Sequence, residues 1–353
     1  MFMSRIYLDY ASLTPIDKGV LKEMNRYSSG EYTNPSSLYL SGVNSHKAIQ
    51  DAKSRISKVL HSHPDEIYFT SGGTESNNLV FKNYTTKEMM VSEIEHSSIA
   101  QNDVIKIPVD SNGLVDLEYL RKNLSKDIHI ISVMLVNNEI GTIQPVHEVV
   151  KIVREFNKLN STNILVHTDA CQALVHLPLH VEKLGVDLMS LDGHKRYGPR
   201  GGGRLYAKRG SLEILRSGTD NVPGIMGFAY AMDLVEKKRD KETKRVDELK
   251  QFFINKLKDI NPQIKINGST EYSVPSILNV SIPNIDSEFF ILQLDAKGIE
   301  CSTKSACLRD EDESYVLKAI GSNSNNSVRF SFGRDTSKGD LNKTVGIIKQ
   351  ILL

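Results

Sequence analysis

Lys195 is the side chain whose setting most suggests chemistry. It stands in the stretch Val186 to Tyr206, VDLMSLDGHKRYGPRGGGRLY. The apolar run from Val186 to Leu191 has the length and composition of a buried strand. After Asp192-Gly-His-Lys195 come Gly198, Gly201, Gly202 and Gly203, and Arg204 to Ala207 reads as a second strand. An amine on a tight turn between buried strands is poorly solvated, so it can lose its proton and attack a carbonyl carbon. The glycines let backbone approach backbone, or a ligand, where a Cβ would clash. A surface lysine in a glycine-rich turn fits the same residues, and this stretch alone does not choose between the two readings.

A second feature lies upstream. The strand-like run Glu66 to Thr70 leads into Ser71-Gly-Gly-Thr-Glu-Ser-Asn-Asn78, where a helix should begin. A glycine turn that opens a helix presents free N–H groups and the positive end of the helix dipole, which suits an anion such as a phosphate. The Gly-Lys-Ser/Thr ending of a P-loop is missing. Polar residues also close three apolar runs: His96 one, Asn137, Asn138 and Glu139 the next, Asp169 and Gln172 the third. Each alone suits a cap or turn. All three together fit a ligand site beyond the carboxyl ends of an α/β sheet.

The elements that must position these residues follow from the apolar pattern. Helical spacing runs from Ile16 to Tyr27, from Asn44 to Leu60 and from Val146 to Leu159, and strands are expected at 89–94, 128–136 and 163–167. This alternation predicts an α/β fold with a largely parallel sheet covered by helices. A long helix rich in Lys and Glu runs from Gly224 to Ile260, and Asn261-Pro262 ends it. Residues 15–260 are therefore assigned to a large domain, with 1–14 and 261–353 forming a small α/β domain. Expected there are strands at 274–282 and 328–332 and helices at 288–294, 313–320 and 338–353. Between them a polar loop carries Cys301 and Cys307.

A chain of 353 residues with 25% charged residues and a net charge of +1 has no electrostatic footprint for nucleic acid. No apolar run reaches the length of a membrane span, and Met1 to Arg5 has no secretory signal pattern. Three cysteines are too few for a disulfide framework. A cytoplasmic protein with reduced thiols and no metal site is expected.

An anion-binding turn, a lysine on a tight turn and the strand-end acid Asp169 together suit pyridoxal phosphate. Here the sequence resembles the cysteine desulfurases of the class V, fold type I, aminotransferase superfamily. The resemblance rests on YLDYASLTP, NPSSLYLSG, TSGGTESNN, EIEHSS, VNNEIGTIQP, HTDACQA, DGHKRYGP, RSGTDNVPGI, CSTKSAC and VRFSFGR, which span nearly the whole chain in the family's order. It implies a fold type I transferase, with a seven-stranded type of sheet in the large domain.

By this resemblance Lys195 would form the Schiff base with pyridoxal phosphate and His96 would stack on the ring and help move protons. Asp169 would pair with the ring nitrogen, and Gln172 and Asn138 would contact the phenolic oxygen. Gly73, Thr74 and His194 would hold the phosphate, with Thr219 reaching the phosphate of the partner subunit in a homodimer. Asn34 and Arg329 would bind the carboxylate of L-cysteine. Cys307 would take the sulfur as a persulfide and pass it to an acceptor protein, for iron–sulfur cluster assembly or tRNA thiolation. Cys171 and Cys301 read as small packing residues.

Asp192 stands where the family usually has serine or threonine, and a carboxylate there repels a phosphate by on the order of a few kcal/mol at close range. It is expected either to face the phosphate or to turn away onto Arg196 or Arg200. The segment from Ala207 to Arg216 lacks a glycine-rich insertion usual in the family, and Tyr39 replaces a frequent histidine. Two alternatives stay open: a relative acting on another amino acid such as selenocysteine, and a cofactor-poor partner or scaffold subunit.

Overall fold

The structure, a computed structural model, describes residues 5–82, 84–100, 104–303 and 313–353. In chain order the elements are β1 (Ile6–Tyr7), α1 (Lys18–Asn25), α2 (Leu40–Leu60), β2 (Ile67–Thr70), α3 (Gly73–Phe81), β3 (Met89–Ser92), β4 (Ile105–Ile107), α4 (Leu117–Asn123), β5 (Ile130–Ser132) and α5 (Val146–Asn160). Then come β6 (Leu165–Asp169), α6 (Val181–Leu184), β7 (Leu188–Asp192), β8 (Gly203–Ala207), α7 (Val222–Ile260), β9 (Lys265–Asn267) and β10 (Ile277–Ser281). The chain closes with α8 (Ser287–Ala296), β11 (Ile299–Glu300), α9 (Tyr315–Ala319), β12 (Ser327–Ser331) and α10 (Lys338–Leu352).

Seven strands form the main sheet in the order β2-β8-β7-β6-β5-β3-β4. All run parallel except β8, which is antiparallel to both its neighbours. Their side chains alternate between two cores, as the period-2 pleat requires. Met90, Ile131, Val166, Met189 and Leu191 pack with α2, α5 and α7, while Val91, Ile130, Leu165 and Leu188 pack with Val80 of α3. Burial on both faces explains why these strands read as unbroken apolar runs.

A second, three-stranded antiparallel sheet, β12-β10-β9, carries its own core of Leu8, Phe290, Phe330 and Phe332. Helix α7 belongs to both: Phe228, Met232 and Val235 enter the first core, whereas Val246, Phe253 and Leu257 enter the second. Helix α1 starts at Lys18, two residues later than its apolar spacing suggests, because the Asp17 side chain accepts from Gly19 N–H (2.7 Å) and caps it. The run 128–136 forms a ladder only over β5. Beyond it, Val133 and Leu135 donate to the carbonyls of His167 and Asp169. The short elements β4, α4 and β9 had no clear signal in the pattern.

His167 lies inside the main sheet, with Nδ1 against Ser132 Oγ (2.9 Å) and Nε2 against Ser190 Oγ (3.0 Å). Burial pushes its pKa down to about 4, and burial, with Lys250 and Arg239 adding, pushes that of His176 down to about 3. Unfolded histidine titrates near 6.5. Below about pH 6.5 the unfolded chain thus binds more protons than the folded one, so stability is full above that pH and falls as pH drops toward those values. His176→Gln should make the fall shallower, by up to ~1.4 kcal/mol per pH unit. Chemical denaturation between about pH 7 and 5 measures it; an unaltered slope would show that His176 is already protonated in the fold.

Candidate active site

Because β2, β3, β5, β6 and β7 run parallel, their carboxyl ends share one edge of the sheet. A cleft with about 670 Å³ of empty space opens there. It is lined by Gly73, Thr74, His96, Asn138, Asp169, Gln172, His194, Lys195 and Arg329, and also by Ala11, Ser12, Asn77, Met134, Cys171 and Asp192.

Lys195 sits on the turn between β7 and β8. That turn is clamped by Thr14, whose N–H (2.9 Å) and Oγ1 (2.8 Å) both donate to the His194 carbonyl, while Tyr197 N–H donates to Thr14 Oγ1 (2.7 Å). Tyr197 adopts a left-handed backbone (φ 61°), a conformation that costs a non-glycine residue energy and needs such bonds to hold it. Lys195 Nζ donates to the carbonyls of Ala11 (2.8 Å) and Ser12 (2.7 Å), and Gln172 Nε2 donates to the same Ala11 carbonyl (2.8 Å).

Asp169, the last residue of β6, accepts from Asn77 Nδ2 (2.9 Å) and from Cys171 N–H (2.9 Å). The register between α3 and β6 explains the first bond. Asn77 and Phe81 are four residues apart on a helix, roughly 6 Å, and Asp169 and His167 are two apart on one strand face, roughly 6.6 Å. Phe81 accordingly packs edge-on against His167 while Asn77 meets Asp169. The other Asn77 Nδ2 hydrogen goes to Ser98 Oγ (2.9 Å), which then has its own proton to give to His96 Nδ1 (2.9 Å). A neutral His96 ring in that network carries its proton on Nε2.

Arg329 is buried in the cleft wall. Its Nη1 donates to the Asn138 carbonyl (3.0 Å), its Nη2 to Asp9 Oδ1 (2.7 Å) and Ser12 Oγ (2.8 Å), and its Nε has no partner among the described residues. At the start of α3, a Cβ on Gly73 would lie 2.6 Å from Cys171 Sγ, and one on Gly203 would lie 2.5 Å from the Gly72 backbone. Only glycine lets β8 and Cys171 come this close. Burial above all, with Asp169 and Asp192 adding, pushes the Cys171 thiol up, and burial does the same for Cys301. Both are poor nucleophiles in this setting.

Asp192 faces the helix start and does not turn onto Arg196 or Arg200. Its Oδ2 accepts from Gly73 N–H (2.8 Å), and its Oδ1 from His194 N–H (2.9 Å) and His194 Nδ1 (2.5 Å). Two other expected residues lie apart from this cleft: Asn34 in an exposed turn, accepting from Ser36 N–H (2.9 Å), and Thr219 in an exposed segment after Arg216, whose Nε contacts Glu75 (3.4 Å). Cys307 lies outside the described residues. Asn77, Ser98, Asp9, Ser12 and Thr14 were not singled out from the sequence. They lie inside the quoted motifs, but nothing in their types or spacing marks them as partners of residues up to 320 positions away.

Residues 6–217 and 211–343 match the family described as aminotransferase class-V. The chain belongs to the class-V aminotransferase family. Along nearly its whole length it is similar to cysteine desulfurase IscS of Dictyoglomus turgidum, 37% identical over 377 aligned residues that cover 98% of this chain and 94% of the relative. It is also similar to cysteine desulfurase IscS of Methanosarcina thermophila, at 35% identity with 98% and 92% covered. Among solved structures, a NifS-like protein superposes with a TM-score of 0.88 at 32% identity, each chain covered to 99%. A structure described as SspA in complex with cysteine superposes with a TM-score of 0.78 at 28% identity, covering 93% of this chain and 98% of that one.

The fold is thus that of a fold type I transferase, and the cofactor of the family is pyridoxal phosphate. The residues present fit it: an amine, a strand-end carboxylate fixed on both oxygens, an imidazole and a helix start with an N–H for an anion. The one discord is Asp192, which already occupies that N–H. Because Asn77 ties Asp169 and His96 together, Asn77→Ala should weaken cofactor affinity by about tenfold, equivalent to ~1.4 kcal/mol. Titration of the cofactor-free variant against the parent measures this, and parental affinity would remove Asn77 from the network.

Proposed function

We propose that the protein is a cysteine desulfurase. It takes sulfur from L-cysteine, releases L-alanine and carries the sulfur as a persulfide on Cys307. The observation that carries this reading is the meeting of Lys195, Asp169, His96 and Arg329 at the carboxyl edge of the sheet. The names of the similar proteins, cysteine desulfurases and a protein solved with cysteine, point the same way.

The bound cofactor supplies an aldehyde for the amine and a ring that withdraws an electron pair from the substrate. Asp169, anchored by Asn77 and the Cys171 N–H, serves as the acceptor for the ring nitrogen. The Arg329 guanidinium, braced by Asp9 and Ser12, binds the substrate carboxylate with Nε as its unpartnered donor. Lys195, released from the Ala11 and Ser12 carbonyls, moves the α-proton, assisted by His96. The Cys307 thiolate then attacks the substrate sulfur. The new S–S bond forms as the Cβ–S bond breaks, the electron pair goes to Cβ, and protonation there gives the methyl group of alanine.

Chain connectivity supports the role of Cys307. Ser302 exchanges backbone bonds with Arg329, Ser314 Oγ donates to Glu139 Oε2 (2.6 Å), and the Tyr315 hydroxyl donates to the Glu95 carbonyl (2.5 Å). Cys307 is five residues from Ser302, a reach of at most roughly 18 Å. The ends of its segment are tied beside Arg329, Asn138 and His96, which line the cleft.

The protein acts as a homodimer in the cytoplasm and passes sulfur to an acceptor protein for iron–sulfur cluster assembly or tRNA thiolation. The exposed apolar side chains Leu38 (96%), Leu40 (76%) and Leu215 (72%) favour a covered surface near Asn34 and Thr219 in sequence. Among the described residues no helix is long and apolar enough to cross a membrane.

Lys195→Ala should abolish alanine release while leaving the fold intact, because no other amine among the described residues lines the cleft. Cys307→Ser should retain the visible band of the lysine-bound cofactor yet form no enzyme-bound persulfide. Mass analysis of the Cys307 peptide after incubation with cysteine decides the point. Alanine release by Lys195→Ala, or undiminished persulfide formation without Cys307, would sink the assignment. Pyruvate and ammonia in place of alanine would favour a lyase.

A further inference from the structure

Asp192 fills the place where the cofactor phosphate would be received. It uses the Gly73 N–H at the start of α3 together with the backbone N–H and ring Nδ1–H of His194. Burial works to raise its pKa, but the His194 hydrogen bond and charge and the Gly73 N–H outweigh burial and hold it below the usual carboxylate value. The helix start therefore already has an anion. A phosphate dianion arriving there would lose the Gly73 donor and meet a buried like charge.

Four residues along the chain lies a cation with the opposite deficit. Arg196 is fully buried, and among the described residues none of its three side-chain nitrogens has a hydrogen-bond partner. Its contact is the face of Phe228, 5.4 Å from the ring centroid, on a ring that Arg204 also covers at 4.1 Å. A buried guanidinium with all its N–H donors unmet is costly unless a carboxylate reaches it. Asp192 and Asp169 are the carboxylates whose charge bears on it, and the neighbouring Arg204 guanidinium opposes them. Both carboxylates are held on both oxygens, but only Asp192 holds a donor that an arriving phosphate would take, the Gly73 N–H at the start of α3, whereas the partners of Asp169, Asn77 and Cys171 N–H, stay with it.

We propose that Asp192 is an internal competitor of the cofactor phosphate with two stations. In the cofactor-free chain it caps α3 and binds His194; when phosphate takes the start of α3, the carboxylate turns onto the Arg196 guanidinium. The inference rests on the cofactor of the family and concerns this chain's own residues. Its consequence is that cofactor affinity is reduced by the fraction of chains with Asp192 in the capping station. Only phosphate-bearing ligands feel that reduction.

The test is titration of cofactor-free protein with pyridoxal phosphate, with pyridoxal and with inorganic phosphate, followed by the visible band or by fluorescence. Asp192→Ser, or Asp192→Asn if the serine variant is poorly folded, should bind pyridoxal phosphate about tenfold more tightly. Its affinity for pyridoxal should stay at the parental value. The cofactor-free serine variant should also melt at a lower temperature than the parent, because the cap of α3 is weakened. Arg196→Met should bind pyridoxal phosphate about tenfold more weakly, while Arg196→Lys, which keeps the charge, should lie closer to the parent. In the Asp192→Ser background Arg196→Met should have little further effect. Unchanged or weaker affinity in Asp192→Ser would overturn the proposal. So would an Arg196→Met effect of equal size with and without Asp192. If the parent and every variant failed to bind pyridoxal phosphate, the cofactor assignment would fall and the proposal with it.

Discussion

The cleft depends on six residues near the N-terminus, Asp9 to Thr14. The Ala11 and Ser12 carbonyls hold the Lys195 amine, Thr14 clamps the Lys195 turn, and Asp9 with the Ser12 hydroxyl holds Arg329. The same stretch is bound to the small sheet, through Ala11 N–H on Ser331 Oγ (2.9 Å) and the bridge from Asp9 to Ser331. It therefore joins a lysine set by the large sheet to an arginine set by the small one. A shift of either sheet would move this stretch, and with it the amine and the guanidinium together.

Charge is arranged around that junction in an unusual way. Asp169, Asp192 and Arg329 line the cleft and are buried, and two further arginines, Arg196 and Arg204, are buried close by. Asp169 and Arg329 are closely partnered, as buried charges need to be. Arg204 stacks between Phe69 and Phe228 and donates to carbonyls of Gly203 and Ile225, and burial lowers its pKa well below the ordinary arginine value. Among the described residues Arg196 meets an aromatic face, that of Phe228, and no hydrogen-bond acceptor. Its incomplete solvation and the carboxylate in the phosphate position are two sides of one electrostatic arrangement, since each would be relieved by meeting the other.

Catalytic geometry of this kind is built by parallel strands ending at a common edge, with loops that carry the functional groups. The apolar runs of β3, β5, β6 and β7 are buried on both faces, so they hold that edge rigidly. The glycines at 73 and 203 remove the Cβ atoms that would keep α3, Cys171 and β8 apart. Asn77 then couples Asp169 to His96 through one amide group, so the ring-nitrogen partner and the imidazole share a support.

By itself the sequence determined the layout: the α/β alternation, the parallel sheet, the helix opened by Gly73 and the lysine turn. Each follows from local apolar period, glycine placement and motif spacing, which act over a few residues. The resemblance to the family also marked Asp192 as out of place, because a carboxylate stands there where a serine or threonine is usual, and its charge is wrong in sign for a phosphate. What only the tertiary structure decided is which side chains hold the functional ones. Asp9 to Arg329, Asn77 to Asp169 and Thr14 to His194 are contacts between segments 92 to 320 residues apart. Hydrogen bonds of that reach are set by strand order and helix register, which no local pattern encodes. The same holds for Asp192: its type was legible in the chain, but that it caps α3 and binds His194, leaving Arg196 without a hydrogen-bond partner among the described residues, is a fact of packing.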